Sequence, residues 1–225
     1  ILSWDEYMET NAVLPESWDE SITFLGHVDW AEYLPGENGG CVYLSIGPLE
    51  VLNGKKSYQN LFEETAGLLN SHPDCSKLVI DLRYNPGGAL VIADYIREDL
   101  QQLKELSVQQ VFAITGGGTA SAGTICLSMF QEELGAVHIG EPTGQFTSCF
   151  GYTSTPMTLH LPQSQLAVRV ATNWLDGASD INTQYDESDK LHEWENTILP
   201  DVYIYQDIED IRQGRDSVIE WVLAQ

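Results

Sequence analysis

Leu78-Val79-Ile80-Asp81-Leu82-Arg83-Tyr84-Asn85-Pro86-Gly87-Gly88 is the stretch that decides the fold. Its apolar run is continuous rather than alternating, the pattern of a strand buried on both faces of a parallel sheet. His72-Pro73-Asp74 punctuates it on one side and Asn85-Pro86-Gly87-Gly88 on the other. A helix is expected directly after the glycines, because Leu90, Ile92, Ala93, Ile96, Leu100 and Leu103 recur at helical spacing.

The same alternation extends outward in both directions. Upstream, residues 41–46 read as a strand that Gly47-Pro48 ends, and residues 57–70 carry Tyr58, Leu61, Phe62, Thr65, Leu68 and Leu69 on one helical face. Downstream come a strand over 110–115, the loop Gly116-Gly117-Gly118, a helix over 120–133, a strand over 136–139 and a loop over 140–151. Sheet hairpins are then expected, with 157–161 and 166–172 flanking Pro162-Gln163-Ser164-Gln165. A polar acidic stretch fills 176–196, and Val202-Tyr203-Ile204-Tyr205 leads into terminal helices. Residues 1–40 are irregular, punctuated by Pro15, Pro35 and Gly39-Gly40, and are expected to wrap an α/β domain spanning 41–225. No internal repeat is visible.

Charge narrows the classes of partner. With 34 acidic against 10 basic residues, a net charge of -24 repels phosphate backbones, so nucleic acid is excluded as the expected partner. The apolar runs are strand-length, far short of the roughly 20 residues that cross a bilayer, so no transmembrane segment is expected. Cys41, Cys75, Cys126 and Cys149 lack both CxxC pairing and zinc-type histidine spacing. They are expected as buried free thiols, and no metal or organic cofactor is implied. The opening Ile1-Leu2-Ser3-Trp4, with neither Met nor a leader pattern, is the start expected of a trimmed or mature fragment.

Two loops carry the chemistry: Asp81 to Gly88, and Gly116-Gly117-Gly118-Thr119-Ala120-Ser121-Ala122-Gly123. Each follows a strand and opens a helix, where unpaired amides point outward and glycines admit close approach of an anion or oxyanion. Neither loop has the Gly-Lys-Ser/Thr ending of a nucleotide-binding P-loop, nor a GxGxxG with an acidic partner downstream. Taken alone, Ser121 reads most simply as a helix N-cap. The sequence around it gives it a second reading.

Leu78-Val79-Ile80-Asp81-Leu82-Arg83-Tyr84-Asn85-Pro86-Gly87-Gly88, then Gly116 to Thr124, then Val137-His138-Ile139-Gly140-Glu141-Pro142-Thr143-Gly144 resemble the three motifs of the C-terminal processing (tail-specific) serine peptidases, in that order. The segment from Leu199-Pro200-Asp201 to the terminal helix resembles the family's closing segment. The resemblance implies the crotonase and Clp-protease kind of α/β fold, with stacked strand-helix units, and no substrate-binding PDZ insert is visible in the sequence. It implies Ser121 as nucleophile, and an oxyanion hole from the Ala122 amide with a glycine amide of Gly87 or Gly88. It also favours an extracytoplasmic or secreted setting. Asp81 and Arg83 are expected to shape the glycine turn as a buried ion pair.

The family's usual base is absent. Where a lysine stands in its Gly-Glu-Pro-Thr loop, this chain reads Gly144-Gln145-Phe146-Thr147, and the only lysine after Ser121 is Lys190. The strand that holds a histidine in the tricorn-like branch reads Val42-Tyr43-Leu44-Ser45. His138 and His72 are expected to be structural, His160 and His192 fall in or after the hairpins, and His27 is the freest histidine. Gln145, Ser148 and Cys149 are the polar groups of the loop, and a thiol is a poor general base. The expected function is a serine-type peptidase that acts on an unfolded or C-terminal peptide through an acyl-enzyme. A peptidase-like protein that binds peptides without turnover is the alternative, and an acyl-CoA enzyme is disfavoured by the lack of a basic patch.

Overall fold

The computed structural model describes residues 29–49, 58–105, 108–145, 149–151, 157–171, 173–175 and 198–225. A six-stranded sheet organises them, in the order β1-β2-β3-β4-β5-β10. Its strands are β1 (Trp30–Leu34), β2 (Cys41–Ser45), β3 (Lys77–Asp81), β4 (Gln110–Thr115), β5 (Val137–Gly140) and β10 (Val202–Tyr203). β1 lies antiparallel to β2 and every other pair is parallel. The segment ahead of Cys41 thus supplies the edge strand, while residues 1–28 lie outside the described residues.

Every residue of β2 and β3 is buried, as the continuous apolar runs require. Alternate side chains serve different layers. Val42, Leu44, Leu78, Ile80 and Ala113 meet the helices α1 (Gln59–Ser71), α2 (Leu90–Asp99), α3 (Gln101–Lys104) and α4 (Ala122–Leu134), which contribute Phe62, Ile92, Ile96, Leu103, Leu127 and Phe130. Cys41, Tyr43, Val79, Phe112, Ile114 and Ile139 face the other way, onto Val218 and Val222 of the terminal helix α6 (Ser217–Leu223). Trp221 of that helix packs edge-on against Phe112, ring centroids 5.9 Å apart. The short helix α5 (Ile208–Arg212) precedes it.

Two element boundaries depart from the helical pattern. The helix expected over residues 90–103 is interrupted at Leu100, and Asp99 at that point accepts the Tyr58 amide at the start of α1, 2.8 Å away. The helix expected from residue 120 starts at Ala122, because Ser121 has φ 51° and ψ -125°. Beyond β5, β6 (Cys149–Gly151) pairs with β9 (Asn173–Leu175). The expected hairpin is β7 (Met157–His160) with β8 (Ala167–Val170), whose face carries exposed Met157, Leu159 and Val168 in register. The acidic stretch 176–196 lies outside the described residues.

The terminal helix is held by charge as well as by packing. Lys77 is buried, and its Nζ donates to the carbonyls of Val222 and Leu223 at 3.3 Å each, the end of α6 where the helix dipole favours a cation. At the other end Asp216 accepts the amides of Val218 and Ile219, and its carboxylate also accepts from Arg83 Nη2 at 2.6 Å. Arg83 reaches back to Asp81 through Nε (2.9 Å) and Nη2 (2.6 Å), and Tyr43 donates its hydroxyl to the same carboxylate at 2.7 Å. Burial alone would lower the Arg83 pKa, but Asp81 and Asp216 outweigh it and keep the guanidinium charged. Burial, then Asp81, pushes the Tyr43 phenol well up. The expected buried ion pair is present, and it extends to the terminal helix.

Replacing Lys77 by Met removes the only donor to the Leu223 carbonyl among the described residues and leaves the Val222 carbonyl with the Gln225 amide alone, so Lys77→Met is expected to cost about 2 kcal/mol in urea unfolding. His138 gives a pH signature. Its Nδ1 faces the Leu199 carbonyl at 3.1 Å, its Nε2 lies 2.5 Å from Thr115 Oγ1, and its backbone amide donates to Asp201. Burial lowers its pKa to about 4, partly opposed by the Leu199 carbonyl and Asp201. The folded value lies below the unfolded one, so this contribution is present above pH 6.5 and is lost as pH falls through about 4. Over that window the stability advantage of wild type over His138→Gln is expected to shrink by about 2 kcal/mol in denaturant titrations.

Candidate functional site

Both glycine turns leave the same edge of the sheet, after β3 and after β4. Asn85, fully buried, builds the first: its Oδ1 accepts the Gly87 amide at 2.9 Å, its Nδ2 donates to the Ile46 carbonyl, and its own carbonyl accepts the Ala120 amide at 3.0 Å. Leu49, just past β2, donates to the Gly87 carbonyl and accepts from the Ala89 amide, both at 2.8 Å. In this parallel bridge Gly88 turns its own amide to the opposite side, where it has no partner among the described residues.

Thr119, also fully buried, pins the second turn to the first. Its hydroxyl donates to the Leu82 carbonyl at 2.6 Å and accepts the Gly116 amide at 3.2 Å. The resulting approach is close. Gly87 has φ 90°, and a Cβ placed there would lie 2.6 Å from Ser121 Cβ and 2.8 Å from the Ala122 nitrogen, so only glycine fits.

Ser121 sits at the strand-to-helix corner with a backbone that L-residues adopt only under constraint. Its carbonyl accepts from the Thr124 amide (2.9 Å) and hydroxyl (2.7 Å), and its hydroxyl caps no amide of α4. The simple N-cap reading therefore fails, and the side chain is left free to project from a tight turn. Ala122, the first residue of α4, is buried, and its amide has no intrahelical partner. Ser121, Ala122, Gly87 and Gly88 are thus brought together. Of the two glycine amides, Gly87 is engaged by Asn85 and Gly88 is open.

A third loop completes the site, and one of its residues had no assigned role in the sequence. Glu141 donates its amide to the Thr115 carbonyl, and Gly144 donates to the Thr119 carbonyl at 2.9 Å. A Cβ on Gly144 would lie 2.0 Å from the Gly117 oxygen, so the loop rests directly on the glycine turn. Gln145 then reaches Ser121: its Oε1 accepts the Ser121 amide at 2.7 Å. Only the loop backbone determines this contact, so no residue pattern announced it.

Ser121 Oγ has no hydrogen-bond partner among the described residues. His138 is enclosed under Thr115 and Leu199, and His72 stacks on Tyr33 at 3.7 Å, so both are structural as expected. His160 lies on the exposed hairpin, while His27, His192, Lys190, Phe146, Thr147, Ser148 and the Cys149 side chain lie outside the described residues. Cys41, Cys75 and Cys126 are buried free thiols. Burial pushes Cys41 and Cys126 up to about 12, which makes them inert at neutral pH. Among the described residues no group of three His, Cys, Asp or Glu could hold a metal, and no helix is long and apolar enough to cross a membrane.

No known family's sequence model matches the chain, and no curated protein matches it by sequence. Solved structures do resemble it. One is a candidate peptidase from Parabacteroides merdae, with a TM-score of 0.54 and 19% identity over 89% of this chain and 67% of its own. Another is a candidate S41 protease from Bacteroides fragilis, with a TM-score of 0.55 and 14% identity over 86% of this chain and 56% of its own. The fold is that of S41 protease domains. The chain spans about two thirds of the first structure and just over half of the second. The mixed α/β, crotonase-like and Clp-protease-like architecture expected from the motifs is therefore present.

The strain at Ser121 can be measured. Ser121→Ala and Ser121→Gly both remove the hydroxyl, but only glycine relaxes at φ 51°. Ser121→Gly is expected to unfold at higher denaturant than Ser121→Ala, by about 1 kcal/mol. Equal midpoints would show that the backbone there is unstrained.

Proposed function

We propose that the chain is a serine-type peptidase domain that acylates Ser121, with the amides of Ala122 and Gly88 receiving the oxyanion. The observation that carries this reading is the backbone of Ser121, φ 51° at a strand-to-helix corner with the hydroxyl unspent on capping. Such a conformation costs about 1–3 kcal/mol, and a nucleophile presented at a sharp turn is a use that repays it. The acyl carbonyl would lie between the first amide of α4, at the positive end of a 13-residue helix, and the glycine amide that the Leu49 bridge turns outward. Attack forms the Ser121 ester with loss of the hydroxyl proton, the leaving amine takes up a proton, and water then releases the acid. The substrate class is peptide, from the likeness to S41 proteases.

A second reading is favoured by Gln145. It stands in the loop where relatives of the lysine type carry their base, and its neutral amide holds the Ser121 backbone rather than its hydroxyl. A domain built this way would bind a peptide and turn it over slowly or not at all.

A fluorophosphonate probe separates the two. The peptidase reading expects covalent labelling of the wild-type chain at Ser121, abolished in Ser121→Ala with folding unchanged by circular dichroism. Labelling no faster in wild type than in the variant would leave the binding reading.

A further inference from the structure

Behind the glycine turn lies a cleft of about 290 Å³, lined by that turn, by Arg83 and Glu141, and by Ile204, Ile211 and Val218. It opens at the carboxyl ends of β3, β4 and β5, where open α/β sheets place their ligands. Ser121 is not among its lining residues, but the turn that forms one wall is the turn that presents Ser121 three residues later.

The cleft's charge is asymmetric. Among the described residues Arg83 is the only cation in its lining, and that guanidinium is already committed to Asp81 and Asp216, so the three groups together carry one negative charge. Beyond them, Arg215 is committed to Asp210 and Glu220. Glu141 adds a second negative charge: the residue lines the cleft, and its carboxylate has neither an ion-pair nor a hydrogen-bond partner among the described residues, although its backbone is fixed through Thr115. Ile204, Ile211 and Val218 supply an apolar wall.

We propose that this cleft is a subsite for a basic amino-acid side chain of a bound peptide, with the ammonium or guanidinium on Glu141 and the alkyl stem along Ile204, Ile211 and Val218. The volume, at the small end of ligand pockets, has room for one long side chain. A carboxylate or phosphate is disfavoured because the one lining cation is neutralised by two carboxylates at 2.6 Å. An alkylammonium satisfies both halves of the site, since its stem covers apolar surface while its head pairs with the open carboxylate. Occupancy would bear on Ser121 through the shared turn: Gly144 and Gly117 are in contact, and Glu141 and Gln145 belong to one loop.

The proposal rests on the peptide reading of the Ser121 site, and the experiment keeps the two apart. Calorimetric titration of the Ser121→Ala protein would use blocked pentapeptides that differ only in a central Lys, Arg, Leu or Glu. The subsite predicts that the Lys and Arg peptides bind at least about tenfold more tightly than Leu and Glu, and that Glu141→Gln removes that preference while leaving the Leu peptide unchanged. Peptides that bind irrespective of the central residue, or a preference that survives Glu141→Gln, would overturn the subsite and leave the peptide reading standing. Failure of all four peptides to bind would overturn both.

Discussion

Everything at the candidate site depends on one close approach, that of Gly87 to Ser121. The two belong to different turns, one after β3 and one after β4, and hydrogen bonds from the Gly87 and Ala120 amides to Asn85 and from the Thr119 hydroxyl to the Leu82 carbonyl draw them together. No side chain fits between them, so the contact fixes glycine at position 87 and fixes the path of the chain at Ser121. The positive φ at Ser121 follows, because the turn must clear the glycine and enter α4 within one residue. The cost is local and small compared with the core behind it, where Phe62, Phe130, Ile80 and Leu44 are fully buried at about 1.5–3 kcal/mol each.

The layer beneath the turns is ordered by charge. Asp81 ends β3, fixes Arg83, and through it reaches Asp216, which caps the terminal helix. Lys77 holds the far end of the same helix from the first residue of the same strand. One strand thus anchors both ends of α6, and the strand that leads into the first glycine turn cannot shift without moving that helix. Rigidity of this kind keeps two open amides and a serine in register without a ligand to organise them.

Much of this architecture is legible in the residues. The continuous apolar run ahead of Asn85-Pro86-Gly87-Gly88 admits few readings other than a central parallel strand and a turn, and the helices after both turns follow from spacing. Legibility fails where tertiary geometry overrides local pattern. Trp30–Leu34 mixes half-buried and exposed residues, as edge strands do, and so reads as irregular. Lys77 resembles a solvated strand end until the helix it caps is in place. Ser121 looks like an ordinary N-cap, because its strain comes from Gly87, which lies 34 positions earlier in the chain. Gln145 acquires its role only once Gly144 rests on Gly117, a backbone contact that no side-chain pattern encodes. For the same reason the motifs locate the serine and its amides but not a group that would take the proton.

The central claim is that the Ala122 and Gly88 amides and Ser121 Oγ converge on one oxyanion. A crystal structure of the chain with a peptide boronic acid tests this most directly, since the tetrahedral boronate mimics the intermediate without needing a competent base. The account predicts a boron-Oγ bond at Ser121, with one boronate oxygen within hydrogen-bond distance of both amides. A boronate that bonds elsewhere, or one attached to Ser121 with its oxygens turned away from Ala122 and Gly88, would contradict it.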